Sequence, residues 1–165
     1  MRNLFLIVFV AAIVFACQPK SQPVVVDLNA AKAEVNALMD SYLTAWNAKD
    51  ANTLIALIAD DGLFCGSDPT EIMDKKMISD IWKQVFADST MNFPYTVDKR
   101  EIRMVSDGKS AVVMEQNISN PFTPKIPWRL VFHAVKAEEG WKLDFISWNL
   151  IPKNEDIGKL NKALE

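Results

Sequence analysis

The pattern of apolar positions changes character once along the chain, near Pro94. Before that point it follows a helical period. From about Asp27, the residues Val35, Leu38, Met39, Tyr42, Leu43 and Trp46 fall on one stripe, which predicts a helix ending near Lys49. Asp50 can cap a second, shorter helix carrying Leu54, Leu57 and Ile58, because its carboxylate accepts from the free N–H groups of a first turn. Residues 62–66 read as a short extended piece. Asp68-Pro69-Thr70-Glu71 has the composition of a helix start, with an acceptor at the cap, proline first and glutamate third. The helix it starts, or one restarting near Asp74, buries Met77, Ile78, Ile81, Trp82, Val85 and Phe86.

After Pro94 the period becomes two, with β-branched and aromatic enrichment. Tyr95–Val105, Ser110–Ser119, Pro127–Lys136 and Trp141–Leu150 read as four strands. Asp107-Gly108 and Glu138-Glu139-Gly140 supply tight turns, and the prolines of Asn120–Pro124 mark a longer loop. Helices followed by an antiparallel meander predict the α+β class. Ile157, Leu160 and Leu164 space out a short amphipathic C-terminal helix. Alternation places Trp128, Leu130, Phe132 and Ala134 on one side of their strand, and Trp141, Leu143, Phe145, Ser147 and Asn149 on one side of theirs. These sets suit a concave face packed on the first helix. The opposite sides carry Val131, Val135, Ile146, Trp148 and Leu150 among Arg129, His133, Lys142 and Asp144. A solvated face would be more uniformly polar, so a homodimer contact is expected there.

Composition narrows the function classes. Half of the 165 residues are apolar, enough for one domain with a sizeable core. Eighteen basic residues against 21 acidic ones give a net charge of −3, which argues against nucleic acid as a partner. With one histidine in the chain, no cluster with metal-ligand spacing and no glycine-rich phosphate loop, neither a metal nor a cofactor is expected.

The N-terminus carries an address. Arg2 precedes an unbroken apolar run from Leu4 to Cys17, the arrangement of a signal peptide. As a helix the run spans about 21 Å, short of a hydrocarbon core of about 30 Å. Val14-Phe15-Ala16-Cys17 resembles a bacterial lipobox, which implies cleavage after residue 16 and acylation of Cys17. Two or three acyl chains anchor stably where one does not. The expected organisation is a lipoprotein signal over 1–16, a polar tether over 17–28, a domain over 29–152 and a C-terminal helix over 153–165. A cell-envelope location follows, on the outer membrane facing the periplasm in a double-membraned host, since no Asp follows Cys17.

The domain itself is similar to a known family. Tyr42-Leu43-x-Ala45-Trp46-Asn47-Ala48-Lys49-Asp50 followed by Leu54–Asp61 resembles the opening helix pair of SnoaL-like proteins in the nuclear-transport-factor-2-like superfamily. Phe64-Cys65-Gly66-Ser67-Asp68-Pro69-Thr70-Glu71 resembles the turn F-x-G-T-D-P-x-E of one SnoaL-like subgroup, and Gly140-Trp141-Lys142-Leu143 the G-W-K-I that opens the last strand. The resemblance implies a cone: three N-terminal helices packed on a curved antiparallel sheet, with a pocket between them. Members include isomerases, dehydratases, cyclases and accessory binding domains, so the fold leaves the function open.

Against the ketosteroid isomerase plan, Tyr42 falls where a helix tyrosine is needed. The base position falls at Cys65 or Gly66 and the deep acid near Phe132, so two of three roles lack an acid. Candidate catalytic residues are therefore Tyr42, Asp68 and Glu115. Asp68 has a capping role open to it. Glu115 and Asn117 alternate with Ala111 and Val113 and point to the pocket mouth, where a solvated rim position is the simpler reading and general-base chemistry the sharper one. Tyr42, Trp46, Glu115, Asn117, Trp128, Phe145, Ser147 and Asn149 are expected to face the ligand. His133 falls on the outer side, and Cys65, without a nearby histidine, reads as buried and inert. The incomplete acid–base set favours a lipid-anchored module that binds a small apolar or amphipathic ligand, or a protein partner, over a cyclase, isomerase or dehydratase.

Overall fold

In the computed structural model, which describes residues 26–117, 121 and 123–165, Asp27 opens the first helix. Its carboxylate accepts from the backbone N–H groups of Asn29 and Ala30 and starts α1 (Leu28–Asn47). Asp50 does the same for α2 (Ala51–Ala56), accepting from Thr53 N. The chain then extends as β1 (Ile58–Cys65), turns, forms β2 (Ile72–Asp74) and enters α3 (Lys75–Ala87), which Asp74 caps through Met77 N. Four longer strands follow: β3 (Lys99–Met104), β4 (Ser110–Asn117), β5 (Trp128–Ala137) and β6 (Gly140–Leu150). A 3₁₀ turn (Asn154–Asp156) leads into the short α4 (Ile157–Ala163). The expected signal segment and Cys17 lie outside the described residues.

The α+β class holds, with three corrections. Among the described residues only two helices precede the first strand, and the third follows β2. The sheet, ordered β2-β1-β6-β5-β4-β3, is mixed rather than antiparallel, because β1 runs parallel to β6. Its Asp60-Asp61 pair interrupts the alternation that would have announced so long a strand. Finally, Asp68-Pro69-Thr70-Glu71 is a turn and not a helix start. The Asp68 carboxylate is spent on the amide and hydroxyl of Thr70, while Glu71 folds back to accept from Asp68 N.

The core forms where the α1 stripe meets the concave face of the sheet, with Val35, Met39, Tyr42, Leu54, Phe132 and Leu143 fully buried. Residues 88–98 are irregular, so β3 begins at Lys99 rather than at Tyr95. Asn47 ties this segment to α1, its side chain accepting from Tyr95 N and donating to Tyr95 O.

The last strand departs most from simple alternation. Val135 pairs with Lys142 and Ala134 with Leu143, but His133 pairs with Phe145, leaving Asp144 as an extra residue. This bulge inverts the facing of everything beyond it. Ile146, opposite Phe132, turns into the core, and Trp148, opposite Leu130, turns inward as well. Phe145, Ser147 and Asn149, expected on the concave face, sit instead on the outer face opposite His133, Val131 and Arg129. Asp144 is itself held there, its carboxylate 2.7 Å from His133 Nδ1.

Candidate functional site

Aromatic side chains from separate elements converge at one end of the cone. Trp46 ends α1, Trp82 lies on α3, Phe64 ends β1, Trp128 starts β5 and Trp148 ends β6. Together with Phe93 they line a cavity of about 260 Å³, completed by aliphatic and methionine side chains of β2, α3 and Met91. The rings meet edge-on or tilted: Trp46 and Trp148 at 4.4 Å, Trp128 and Trp148 at 5.7 Å, Phe64 and Trp82 at 5.9 Å. Two indole donors are spent on the cavity's surroundings, Trp46 Nε1 on Phe93 O and Trp128 Nε1 on Thr123 Oγ1. The walls therefore stay apolar.

The polar rim comes from the 66–71 turn, through Gly66, Ser67 and Glu71. A side chain at position 66 would put its Cβ 1.9 Å from Glu71 Oε2, which explains a glycine at that point of the turn. Among the lining residues Glu71 is the one ionisable group.

Behind the Trp46–Trp148 pair lies a second, polar cluster that does not line this cavity. Glu115, on β4 between Arg100 of β3 and Leu130 of β5, is fully buried. Arg100 Nε donates to Glu115 Oε1 at 2.6 Å, and its Nη1 reaches Asp40 Oδ1 at 2.5 Å and Asn36 Oδ1 at 2.9 Å. One guanidinium thus joins two carboxylates across the sheet–helix seam. Among the described residues the remaining oxygen, Glu115 Oε2, has no hydrogen-bond partner, nor do Tyr42 Oη, Tyr95 Oη and Trp148 Nε1.

These four buried atoms are neighbours. The Tyr95 hydroxyl lies against the Glu115 carboxylate and the Tyr42 hydroxyl against the Trp148 indole, without reaching hydrogen-bond geometry. Burial pushes the Glu115 carboxyl above its ordinary range, with Arg100 pulling the other way. Burial also raises both phenols.

Each residue singled out from the sequence can now be located. Trp46 and Trp128 line the cavity. Tyr42 is on the expected stripe and buried, but behind the cavity's aromatic floor, packed edge-on against Phe132 at 5.2 Å. Glu115 is neither at the rim nor solvated, because α1 covers β4 there and Arg100 compensates the charge. Asp68 is exposed and held below the usual carboxylate range by Thr70, so it offers no base to the cavity. Phe145, Ser147 and Asn149 are outside the cone, and the Asn117 side chain lies outside the described residues. Cys65 pairs with Ser147 on the outer face and is half-buried.

Sequence reasoning overlooked Tyr95, Arg100 and the inward Trp148. For Arg100 a signal existed. It shares its strand side with the buried Ile102, and a lone cation on an inward face calls for a carboxylate on the adjacent strand.

The profile of the SnoaL-like domain matches residues 35–146, from the middle of α1 to the inverted half of β6. The chain belongs to the SnoaL-like domain family. Solved structures support the fold. An NTF2-like protein of unknown function from Pseudomonas putida KT2440 superposes with a TM-score of 0.66 at 17% identity, covering 77% of this chain and 91% of that one. A domain of unknown function with a cystatin-like fold from Nostoc punctiforme PCC 73102 gives 0.65 at 16% identity, covering 81% and 85%. A ketosteroid isomerase-like protein from Erwinia carotovora atroseptica SCRI1043 gives 0.55 at 22% identity, covering 73% and 96%. Among curated proteins no relative matches the chain.

The SnoaL-like match covers the polar cluster except Trp148, which lies just past its end. It does not bring the isomerase chemistry with it. Cys65 is on the outer face, Gly66 on the rim, and Phe132 is an apolar residue at 0% exposure where the deep acid would stand.

Proposed function

We propose that this SnoaL-like protein is a lipid-anchored envelope module that binds a small apolar or amphipathic ligand in its cone without transforming it. The observation that carries the reading is the cavity's lining: six aromatic rings, with the single ionisable group at the rim. A volume of about 260 Å³ is at the small end for ligand pockets and suits a body of one or two rings. Isothermal titration of the processed protein with naphthalene tests it. Saturable binding that Trp82→Ala weakens is expected, and absence of saturable binding overturns the proposal.

The anchor completes this reading. Cys17→Ser is expected to leave an unprocessed precursor that partitions off the membrane; a normally processed membrane protein would overturn it. Val26 packs by Gly108 at the start of the sheet's hairpin end, while Trp128 and Trp148 sit at the other end of β5 and β6. The 20-residue α1 separates the two ends by about 30 Å. The mouth therefore lies at the end of the cone away from Val26, suited to a ligand arriving through water. The outer sheet face, with Leu63, Val112 and Phe145 among its apolar residues, is the surface proposed for a homodimer.

The competing reading, a cyclase, isomerase or dehydratase with Glu115 as general base, draws on the same buried carboxylate. Its weakness is access, since Trp46 and Trp148 stand between the cavity and Glu115.

A further inference from the structure

The first helix ends on an unusual residue. Asp50 N–H bonds to Ala45 O and Lys49 N–H to Trp46 O, the paired closure that normally sets a glycine in the left-handed position after a helix. Here that position is Lys49, with φ of 57°, the one non-glycine residue at positive φ among the described residues. A lysine is disfavoured there where glycine is not, and such strain persists where other contacts over-determine it. Those contacts belong to the side chain. Lys49 Nζ donates to Asp88 O at 3.3 Å and to Met91 O.

The two carbonyls bracket the turn that follows α3. Met91 N–H bonds to Asp88 O, and the Asp88 carboxylate accepts from the amide and hydroxyl of Thr90, so residues 88–91 form a preset unit. Met91, 38% exposed, and Phe93 carry this segment into the cavity wall. Residues 87–92 are all exposed. For residues 88–92 the backbone–backbone bonds among the described residues are local, to Val85 and within the turn. Side chains of α1 and Lys49 tie the segment down: Lys49 to the turn, Trp46 to Phe93 O at 2.7 Å, and Asn47 to both polar atoms of the Tyr95 backbone. The 66–71 rim is built otherwise, closed on itself by Gly66 N–H to Glu71 O and Glu71 N–H to Asp68 O. The other walls are helices and strands. Residues 88–93 are thus the wall that can part from its neighbours by breaking a few side-chain bonds.

We propose that residues 88–93 are a lid on the aromatic cavity and that Lys49 is its latch. The inference rests on the binding reading above and concerns how the ligand enters and leaves. Tyr95, buried and clamped by Asn47, is the fixed end. The 88–91 turn swings as a unit, Met91 withdraws from the wall, and Trp46 releases Phe93 O. Empty and filled cavities break the same latch on opening, so Lys49 governs rates and not affinity.

Stopped-flow tryptophan fluorescence of the processed protein with naphthalene tests it, together with hydrogen exchange read by mass spectrometry. Lys49→Met keeps the left-handed strain and loses the latch, while Lys49→Gly loses both. Each should raise the naphthalene association and dissociation rates roughly tenfold, the strength of one charge-assisted hydrogen bond, with affinity within about twofold of wild type. Amides of residues 89–93 should exchange roughly tenfold faster in both variants, with β5 amides at the wild-type rate. Near-ultraviolet circular dichroism identifies a variant that has lost its packing, and the other then decides. Naphthalene rates unchanged in both variants overturn the inference whatever the exchange result, since Lys49 is then a strut. Acceleration by Lys49→Gly alone also overturns it, because the backbone and not the latch would be responsible. Absence of saturable naphthalene binding to the wild-type protein overturns the binding reading, and the lid with it.

Discussion

The two halves of β6 make an instructive pair. Trp141 and Leu143 lie on the buried side, as plain alternation from Gly140 requires, and Trp141 Nε1 finds Glu34 at 2.7 Å. Beyond Asp144 the same strand, still paired with β5, presents the opposite set of side chains to the core. Had alternation continued, Phe145, Ser147 and Asn149 would face the cone and the cavity would be partly polar. One inserted residue sends those three outside and brings in Ile146 and Trp148. Trp148 then contacts Trp46, Phe64, Tyr95 and Trp128. The chemistry of the site is thus set by the strand's phase as much as by its composition.

Removing the phase shift is the most severe way to break this contrast. Deleting Asp144 should force Ser147 and Asn149 toward the core and cost about 3–5 kcal/mol in urea unfolding, the scale of a large core defect. A loss below about 1 kcal/mol would show that the bulge does not set the facing. Next come matched charges on the two faces. Trp148→Glu should cost about 3 kcal/mol or more, because it buries an unpaired carboxylate beside Glu115. Phe145→Glu, three residues earlier in the chain, should cost under about 1 kcal/mol of fold stability while converting the proposed dimer to monomer in sedimentation velocity. Similar losses for both would erase the distinction between the faces.

A subtler difference separates buried from exposed carboxylates along the pH axis. Burial raises the folded Glu115 carboxyl above its ordinary value of 4.5, so ionising it costs more in the folded protein than in the unfolded chain. That cost is absent below 4.5 and complete above the folded value. Glu115→Gln lacks it, so the variant's stability relative to the wild type should climb as pH rises from 4.5 upward. Asp50, Asp60 and Asp156 behave oppositely: their partners hold them low, and their stabilisation is lost as pH falls through those depressed values. Both proteins share that acid limb. A flat difference above 4.5 in pH-dependent urea melts would count against a buried, costly Glu115.

The smallest expected effect is Tyr42→Phe in the ligand-free protein. The hydroxyl removed has no hydrogen-bond partner among the described residues, so stability should change by less than about 0.5 kcal/mol, where loss of a satisfied buried bond would cost about 1. A larger loss would place a hydrogen bond at Tyr42 Oη.

What could be read from the chain was whatever depends on neighbours in sequence. The α1 stripe from Val35 to Trp46, the caps at Asp50 and Asp74, the turns at Gly108 and Gly140 with φ of 66° and 114°, and the inward faces of β5 follow from local periodicity and backbone preference. The family words at Tyr42–Asp50 and Phe64–Glu71 were legible too. The latter builds the rim of the cavity rather than a catalytic turn. Trp46 and Trp128 were recognisable as lining because each belongs to a regular apolar set.

Tertiary structure decided the rest. That β1 lies beside β6, that Asp144 is squeezed out of register, and that Arg100 lies opposite Glu115 are facts of pairing between distant segments. Periodicity within a single segment carries no information about such partners. Whether Glu115 meets water or a guanidinium depends on which helix covers β4, and whether Trp148 meets solvent or Trp46 depends on one unpaired residue four positions earlier. Burial and register are collective properties of the packed chain, so the aromatic cavity and the polar cluster behind it exist only once the cone has closed.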